Sequence, residues 1–571
     1  MKKRFKPFHP NGLQNRIETG AIIKKGNGLI KTALVYPNTY RAGMSSLGFQ
    51  TVYKLANRLE SVSCQRVFWS RQKKDIKYPK SIETGLRLDA FDIIMFSISF
   101  ENDFLNLVQL LKRTGIPLRS SDRNHIHPLV IAGGVACFLN PEPIAPFIDC
   151  FLLGEAEKLL KPFFTEYLKK NSRQTFLKTL EKKVPGAYTP CNESDKRDTR
   201  EGLQHGQTGS SKKPKRIKVQ YLENLETVTS GTSVLTADTA FKDTFLIETL
   251  KGCPHGCRFC SAGFIYRPPR IYPAENIIAA IAKAARKTDK IGFVSSAIAD
   301  HPDMTAICDY GLTHELKLSF SSLRADKLDN KLITALSKSN IKTVTLAPEA
   351  GSKRVRRIIN KNMDQKDIIN AVRKIICAGI INIKLYFMIG LPFEQLQDVH
   401  DMVELTKKIK TVFLEESRKK RKIGTITLSV NPFIPKPCTP FQWAAMEDEN
   451  RLKKKIDIIR QGLKKTANIN MKIKSLKKAR IHALLSRGDQ RTADIIESAF
   501  KEGWPSAIRK YKAYCHSIIY KEKSVTDPLP WDFLDNRVKK KFLASEFLKA
   551  KNEKQSAPCP MIDCKICKTC I

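Results

Sequence analysis

Three cysteines, Cys253, Cys257 and Cys260, have the spacing that best predicts chemistry in this chain. Their pattern is Cys-x3-Cys-x2-Cys, and it closely follows the apolar run Phe245–Ile247. Three thiolates on one tight loop can hold three irons of a cubic iron–sulfur cluster and leave the fourth iron open. An open iron is a place for chemistry, whereas a closed shell of four cysteines serves electron transfer or structure.

Two other interpretations of these cysteines stay open on spacing alone. They are three ligands of a structural zinc with a histidine such as His255 as the fourth, or they are unligated thiols. The loop also resembles the cluster loop of the radical SAM superfamily, including Phe259 just before the third cysteine. That resemblance implies a [4Fe-4S] cluster whose open iron is chelated by S-adenosylmethionine (SAM).

A second group of four cysteines closes the sequence, with spacers of four, two and two residues: Cys559, Cys564, Cys567 and Cys570. Such density predicts a metal site, either a structural zinc or a second iron–sulfur cluster. Both need deprotonated thiolates, which the neighbouring Lys565 and Lys568 favour. An unligated tail is the alternative, and spacing does not select the metal.

The elements that must position the first group alternate between apolar strands and helices. Six strand candidates are Phe245–Glu248, Ile291–Ser295, Leu316–Phe320, Thr343–Ala347, Ile383–Ile389 and Thr425–Val430. Helical segments separate them, which predicts a partial (βα)6 barrel, smaller than the eight-unit version. In such folds the active-site groups lie at the carboxyl ends of the strands.

The strand ends supply the remaining candidate site residues, and the superfamily resemblance implies that they bind SAM: Ser295, Ser296, Glu349, Arg357, Met388 and Gly390. The serines stand where the superfamily often has Gly-Gly-Glu beside the methionine amino group. Glu349 suits ribose hydroxyls, and an arginine suits a carboxylate through paired hydrogen bonds. Taken singly, each has a bland alternative: turn formers, a helix cap, or an exposed basic helix face.

The first 190 residues show a βαβ rhythm that predicts a doubly wound, Rossmann-like parallel sheet. Its strand tips include Gly133-Gly134 and Gly154-Glu155, where glycine lets backbone approach a ligand. Residues 30–165 resemble the cobalamin-binding-type domain that precedes many radical SAM domains. The resemblance implies cobalamin as a cofactor, although the chain lacks the Asp-x-His-x-x-Gly motif. A domain that keeps the fold and binds nothing is the alternative.

Composition limits the class of protein. The chain has 571 residues, a formal charge of +44 and 15 cysteines. No apolar run approaches the roughly 20 residues that span a bilayer, and the N-terminus has no apolar signal core. We therefore expect a cytoplasmic protein with reduced thiols and no membrane partner. The excess of basic residues is spread along the chain, so a solvated basic surface is favoured over a surface that binds nucleic acid.

These observations divide the chain into five parts. We expect a cobalamin-binding-type α/β domain in residues 1–190, a polar linker in 191–230, the radical SAM barrel in 231–445, a basic, mainly helical region in 446–550 and a metal-binding tail in 551–571. The full arrangement is similar to a broad bacterial family of cobalamin-binding-type radical SAM proteins.

The resemblance implies reductive cleavage of SAM to a 5′-deoxyadenosyl radical, with flavodoxin or ferredoxin as the reducing partner. Cobalamin-dependent methyl transfer to an unactivated carbon is the favoured use of the radical. The alternatives are methylthiotransferase-like sulfur insertion into tRNA or protein, and a non-catalytic iron–sulfur scaffold that binds nucleic acid.

Overall fold

The computed structural model describes residues 18–70, 78–190 and 216–561, together with Cys564, Cys567 and Thr569. It has a mixed α/β fold, as predicted. None of its helices within these residues has the length and apolarity needed to cross a membrane.

The N-terminal domain is a six-stranded sheet flanked by helices. Its strands, with a short N-terminal one that pairs elsewhere, are β1 (Glu18–Thr19), β2 (Ile30–Tyr36), β3 (Val62–Phe68), β4 (Ile93–Ser97), β5 (Leu129–Gly133), β6 (Cys150–Leu152) and β7 (Ala187–Tyr188). Its helices are α1 (Tyr40–Met44), α2 (Leu47–Arg58), α3 (Phe104–Thr114), α4 (Val135–Leu139), α5 (Ala156–Tyr167) and α6 (Arg173–Lys183).

The strand order is β3-β2-β4-β5-β6-β7, and every neighbouring pair is parallel except β6 with β7. From β2 the chain passes to β3 on one side of the sheet and then crosses back to β4 on the other side of β2. The sheet therefore has a topological switch point between β2 and β4. Ligands of doubly wound sheets bind in the crevice outside the strand carboxyl ends at this point.

Strand β3 is absent from the sequence-based assignment because its residues do not look like a buried strand. Arg66 lies within it with only 1% of its surface exposed. Its guanidinium reaches Glu83 Oε1 and Glu18 Oε2, each at 2.6 Å. Paired charges of this kind allow a polar residue to occupy an interior strand, and the partners are distant in sequence.

The second domain is the barrel. Its strands and the short ribbons beside them are β8 (Ile217–Lys218), β9 (Leu235–Thr236), β10 (Phe245–Glu248), β11 (Leu250–Lys251), β12 (Arg270–Ile271), β13 (Lys290–Val294), β14 (Lys317–Phe320), β15 (Thr343–Glu349), β16 (Asn382–Ile389), β17 (Ile426–Pro432) and β18 (Ile469–Ile473). Its helices are α7 (Ala274–Ala285), α8 (Met304–Thr313), α9 (Asn330–Lys338), α10 (Lys353–Ile358), α11 (Gln365–Cys377), α12 (Leu396–Lys419) and α13 (Glu449–Leu463).

All barrel pairings are parallel, in the orders β10-β13-β14 and β15-β16-β17-β18. A parallel bridge between Leu323 and Leu346 joins the two groups. Each of the six expected strand segments overlaps one of these strands, with bounds that differ by at most two residues. A seventh strand, β18, continues the sheet beyond residue 445, where the barrel was expected to end.

The C-terminal region contains helices and one short strand: α14 (Leu476–Arg487), α15 (Thr492–Glu502), α16 (Trp504–Lys510), α17 (Lys512–Tyr520), β19 (Leu534–Asp535) and α18 (Lys540–Lys551). Strand β19 pairs with β8, inside the segment predicted to be a polar linker. Backbone pairing with this distant strand holds Ile217 and Lys218 in place, although the sequence around them looks polar. Residues 191–215 lie outside the described part of the chain.

Candidate functional site

The cluster loop, defined as Gly252–Cys260, begins at the carboxyl end of the first barrel strand. It follows β10 and β11, and β12 returns beside β11 as an antiparallel partner. Gly252 has φ +87°, and a Cβ there would meet Tyr266 at 2.9 Å, so only glycine turns the chain at this point. The backbone N–H groups of His255 and Ala262 donate to the sulfurs of Cys253 and Cys260. The loop therefore directs backbone donors at thiolate positions.

Burial controls the protonation of these thiols when no metal compensates their charge. It raises the pKa of Cys253 well above the ordinary thiol value, and the charges of Cys257 and Cys260 add to the shift. Burial, followed by the charge of Cys257, raises the pKa of Cys260 to about 11. Because Cys253 and Cys260 resist ionisation in this buried loop, holding them as thiolates requires nearby cations, which iron supplies.

The donor set fits three corners of a [4Fe-4S] cluster. Among the described residues, no three His, Cys, Asp or Glu side chains converge as ligands of one metal ion. A cubane binds each thiolate to a different iron, so its sulfurs do not need to meet at one point. Cys253, Cys257 and Cys260 would hold this cluster, which supplies an electron and an open iron position when bound.

His255, the residue suggested as a zinc ligand, already has a partner. Its Nε2 atom lies 2.9 Å from Asp300 Oδ2 and 3.1 Å from Oδ1. Asp300 follows the second barrel strand, so this contact fixes the cluster loop against the neighbouring strand end. The zinc interpretation would require His255 to bind through its other nitrogen or to leave Asp300.

The two serines at the second strand end differ in their surroundings. Ser295 Oγ accepts from the backbone N–H of Ala297 at 3.1 Å, and the Ser295 carbonyl accepts from Ser321 Oγ at 2.8 Å. Ser296 is exposed. Ser295 thus shapes the turn, which is the bland alternative, while its neighbour keeps an open hydroxyl at the strand end.

Glu349 ends the fourth strand with φ +66°, an uncommon conformation for a residue with a side chain. Its Oε1 lies 3.5 Å from Lys361 Nζ, and both side chains are largely buried. Burial raises the pKa of Glu349, with Lys361 opposing the shift. The positive charge of Lys361 also acts on Cys260. Backbone strain beside a charged pair at a strand end is typical of a functional position.

Arg324 is the arginine that the structure brings to the cluster loop. Burial opposes any rise in the pKa of Arg324, but the hydrogen bond to Asp326 and then the charge of Cys257 raise it. Its Nη2 donates to Asp326 Oδ2 and to the Lys361 carbonyl, each at 2.9 Å. It follows the third strand, in the run Ser321-Ser322-Leu323-Arg324. A guanidinium held at this place can meet a ligand carboxylate.

Arg357 lies on α10 with its side chain exposed. Its two neighbours on that helix are held elsewhere: Arg354 pairs with Asp398 at 2.5 Å, and Arg356 donates to the Gly351 carbonyl at 2.7 Å. Arg357 therefore has the position expected of an exposed basic helix face, which is the alternative to SAM binding.

Met388 and Gly390 end the fifth strand. Met388 is half-buried against the core. Gly390 has φ +75°, and a Cβ there would lie 2.7 Å from Leu452. Its N–H donates to Glu394 Oε2 at 2.7 Å. Gly390 is therefore required by the turn and by close packing, whatever ligand approaches it.

A cavity of about 280 Å³ lies where the N-terminal sheet meets the barrel. The sheet contributes Gly133, Gly134 and Gly154, and the barrel contributes Glu248 and Lys251. This cavity is the switch-point crevice, and its lining residue Lys251 lies two positions before Cys253 in the chain. The two domains thus share an enclosed space that ends one residue before the cluster loop.

Comparison with known proteins finds family models that match two separate parts of the chain. The family model described as the N-terminal region of radical SAM proteins matches residues 48–190, and the model of the radical SAM superfamily matches residues 247–406. MJ0966, an uncharacterized protein of Methanocaldococcus jannaschii, is 30% identical over 470 residues, which span 81% of this chain and 90% of the relative. The chain belongs to the radical SAM superfamily.

Solved radical SAM structures are similar at lower identity. The cobalamin-dependent enzyme OxsB, solved with aqua-cobalamin and SAM, shares 12% identity with a TM-score of 0.44, over 92% of this chain and 79% of its own. Coproporphyrinogen III oxidase (HemN) from Escherichia coli shares 12% identity with a TM-score of 0.28, over 38% of this chain and 51% of its own.

For this radical SAM chain, sequence reasoning missed Arg324 and Lys361 as site residues. Arg324 follows the third strand candidate, and Lys361 follows a helix in Asn360-Lys361-Asn362. Both asparagines have positive φ, so a tight turn places the lysine back toward the loop. Asparagine on both sides of a lysine was the available signal, because asparagine tolerates that conformation.

Proposed function

We propose that this protein is a radical SAM enzyme that reductively cleaves SAM at a [4Fe-4S] cluster held by Cys253, Cys257 and Cys260. The observation that supports the proposal is that Arg324 and Glu349 lie at strand ends on the same barrel edge as the cluster loop, while Lys361 folds back beside Glu349 and Cys260. When bound by these thiolates, the cluster would supply one electron for cleavage of the C5′–S bond of SAM, which would give methionine and a radical able to abstract hydrogen from a carbon that acid–base groups do not activate.

The residues of this chain bind and orient the cosubstrate. Arg324 pairs with the SAM carboxylate, Glu349 accepts from ribose hydroxyls, and the Ser295–Ser296 turn lies near the methionine amino group. Met388 lies at the adenine side, and Arg357 is replaced by Arg324 in this scheme. Lys361 opposes the rise that burial causes in the pKa of Glu349, which favours the carboxylate as acceptor.

Anaerobic reconstitution tests the proposal. The protein should bind about four irons at the cluster loop, its spectrum should change when SAM is added, and a reductant should yield 5′-deoxyadenosine. A reconstituted protein whose cluster spectrum ignores SAM would overturn the proposal and favour the non-catalytic scaffold.

Methyl transfer with cobalamin is the second candidate, favoured by the switch-point cavity beside the cluster loop. The glycine-lined edge suits a ligand, but about 280 Å³ is below the ~300–1,000 Å³ that drug-sized ligands fill. Cobalamin is larger than such ligands, so the residues in this arrangement do not fit the whole cofactor, and we route no step through it. Retention of the visible absorption of hydroxocobalamin on gel filtration would show that the two domains open to admit it.

Sulfur insertion into tRNA or protein is the remaining enzymatic alternative. It predicts sulfur-bearing products in RNA or protein from reactions supplied with SAM and sulfide. Labelled SAM incubated with extracts of a deletion strain would reveal methylated metabolites under the second candidate and modified RNA under this one.

A further inference from the structure

The C-terminal tail lies directly on the cluster loop. Helix α18 leads into residues 552–561, and the backbone N–H of Cys559 donates to the Pro254 carbonyl at 2.8 Å. Pro254 is the neighbour of Cys253, so backbone geometry places the Cα atoms of Cys253 and Cys559 at most about 11 Å apart. Two cysteine groups that are 299 residues apart in sequence thus meet in space.

Asn360 fastens the two segments together. Its Oδ1 accepts from the Ser556 N–H at 2.8 Å, and its Nδ2 donates to the Gly256 carbonyl at 3.1 Å. A Cβ at Gly256 would lie 3.0 Å from that same Nδ2. Glycine in the middle of the cluster loop therefore lets the asparagine and the tail approach.

Buried arginine reinforces the same contact. Arg258, within the cluster loop, donates to Glu546 Oε2 at 3.1 Å and to the Lys554 carbonyl at 2.7 Å. Its side chain is fully buried. A buried guanidinium is held in place by the partners that satisfy it, so these bonds fix the end of α18 and the start of the tail against the loop.

A cavity of about 270 Å³ lies between the cluster loop, α18 and the tail. Cys559 and Cys564 line it, together with Gly256, Arg267 and Lys549. Cys567 is 2% exposed, and the Arg267 side chain hydrogen-bonds to its thiol. Cys570, the fourth cysteine of the pattern, lies outside the described residues. The cavity has thiols on its wall and cations beside them, and thiolate-bound iron–sulfur clusters are anionic.

We propose that this cavity holds a second iron–sulfur cluster, bound by Cys559, Cys564 and Cys567 and placed against the SAM-cleaving cluster loop. The proposal rests on the proposed function for its role and not for its existence. A zinc site would gather its thiolates around one ion at about 2.3 Å. Among the described residues, no three Cys, His, Asp or Glu side chains gather around one ion. A cluster lets each thiolate meet its own iron, which suits the cavity between the loop and the tail.

The contact with the cluster loop gives the second cluster a role in electron supply. A flavodoxin- or ferredoxin-type donor gives one electron to the tail cluster and is thereby oxidised. The tail cluster then passes that electron to the cluster held by the cluster loop. No bond is made or broken and no proton moves, so the tail cluster returns to its oxidised state after each transfer.

Iron counting on the full-length protein tests the site. Anaerobically reconstituted wild type should hold about eight irons and eight sulfides per chain, as two four-iron clusters require. The double variant Cys564→Ala with Cys567→Ala should hold about four, and so should the variant with Cys253, Cys257 and Cys260 all changed to Ala. Cys150→Ala, which changes a buried thiol of the N-terminal sheet, should retain about eight.

The outcomes separate this proposal from the proposed function. A wild type with about four irons and one zinc, the zinc being lost in the tail variant, would overturn the second cluster. So would four irons and no zinc. If the tail variant loses four irons but its remaining cluster still responds to SAM, both proposals stand. If the wild type holds both clusters but neither responds to SAM, the proposed function fails alone.

A kinetic measurement tests the role. Reduction of the remaining cluster by photoreduced flavodoxin should be slower in the tail variant than in wild type, whereas reduction by dithionite, a small direct reductant, should be unchanged. Equal flavodoxin rates would exclude the tail as the electron entry. Melting temperatures of the two proteins check that the tail variant is folded.

Discussion

The carboxyl edges of the barrel sheet and of the N-terminal sheet carry very different groups. The barrel edge carries three thiols, an arginine and a strained glutamate, each held by specific partners. The edge of the N-terminal sheet is mainly glycine and apolar side chains around a space of about 280 Å³. The first edge has the groups that bind and activate a cosubstrate, whereas the second has the shape to admit a ligand. This difference supports the proposed function, in which the chemistry takes place at the barrel edge.

The largest expected effect comes from the thiols of the barrel edge. Cys257→Ala removes one of three iron ligands, so formation of 5′-deoxyadenosine from SAM should fall to background because no SAM-binding iron remains in place. Product is measured by chromatography under anaerobic reducing conditions. Cys308→Ala, at a buried thiol in α8, is the matched control and should retain activity. Activity in the Cys257 variant comparable to wild type would remove the basis of the assignment.

The next effect concerns the other edge. Gly154 has φ +133°, and a Cβ there would lie 2.1 Å from the Gln220 carbonyl oxygen. Gly154→Ala should lower the free energy of unfolding by more than about 2 kcal/mol, because it adds a clash to an unfavourable backbone conformation.

Chemical denaturation compares that variant with Gly115→Ala. Gly115 has φ +75°, and a Cβ added there would meet no neighbouring group within 4 Å, so this control should cost only about 1 kcal/mol. Equal losses in the two variants would mean that the Gln220 contact does not shape the edge.

A smaller effect distinguishes the two arginines. Arg324→Gln should raise the KM for SAM roughly 10–100-fold, since a hydrogen bond to a charged group contributes about 1.5–3 kcal/mol. Arg357→Gln, at an exposed side chain on α10, should change it less than about twofold. Steady-state assays with varied SAM measure both. The reverse order would restore Arg357 as the carboxylate partner.

The sequence was sufficient to predict those features that are local. Three such features depend only on neighbours within a few residues: the thiol spacing, the apolar strands and the apolar stripe of α3, formed by Phe104, Leu107, Val108 and Leu111. Strand β3, the pairing of β8 with β19, and Lys361 beside Cys260 depend on partners far along the chain. Arg66 reads as a surface residue until Glu18 and Glu83 are seen to neutralise it. Contacts between tail and cluster loop belong to this second kind.

The smallest effect tests how the two regions are joined. Glu101, which follows β4, meets Lys436 and His482 from the other side of the junction: Lys436 Nζ lies 2.6 Å from Glu101 Oε1, and His482 Nε2 lies 3.0 Å from Oε2. Burial and the charge of Lys436 lower the pKa of His482, with Lys474 adding to the shift and Glu101 opposing it. The folded protein therefore keeps His482 neutral at a pH where the unfolded chain begins to protonate it, near 6.5.

Because the unfolded state then binds more protons, the free energy of unfolding should fall as the pH drops below about 6.5. Burial alone would raise the pKa of Glu101, but Lys436 and His482 outweigh this effect and hold that pKa well below its ordinary value. That pair loses its stabilisation only at a lower pH, as Glu101 protonates. His482→Gln should flatten the pH dependence between about 5 and 7, by at most about 1.4 kcal/mol per pH unit. His516→Gln, at an exposed histidine on α17, should leave it unchanged. A dependence that survives in the His482 variant would place the acid sensitivity within one region and not at the junction between them.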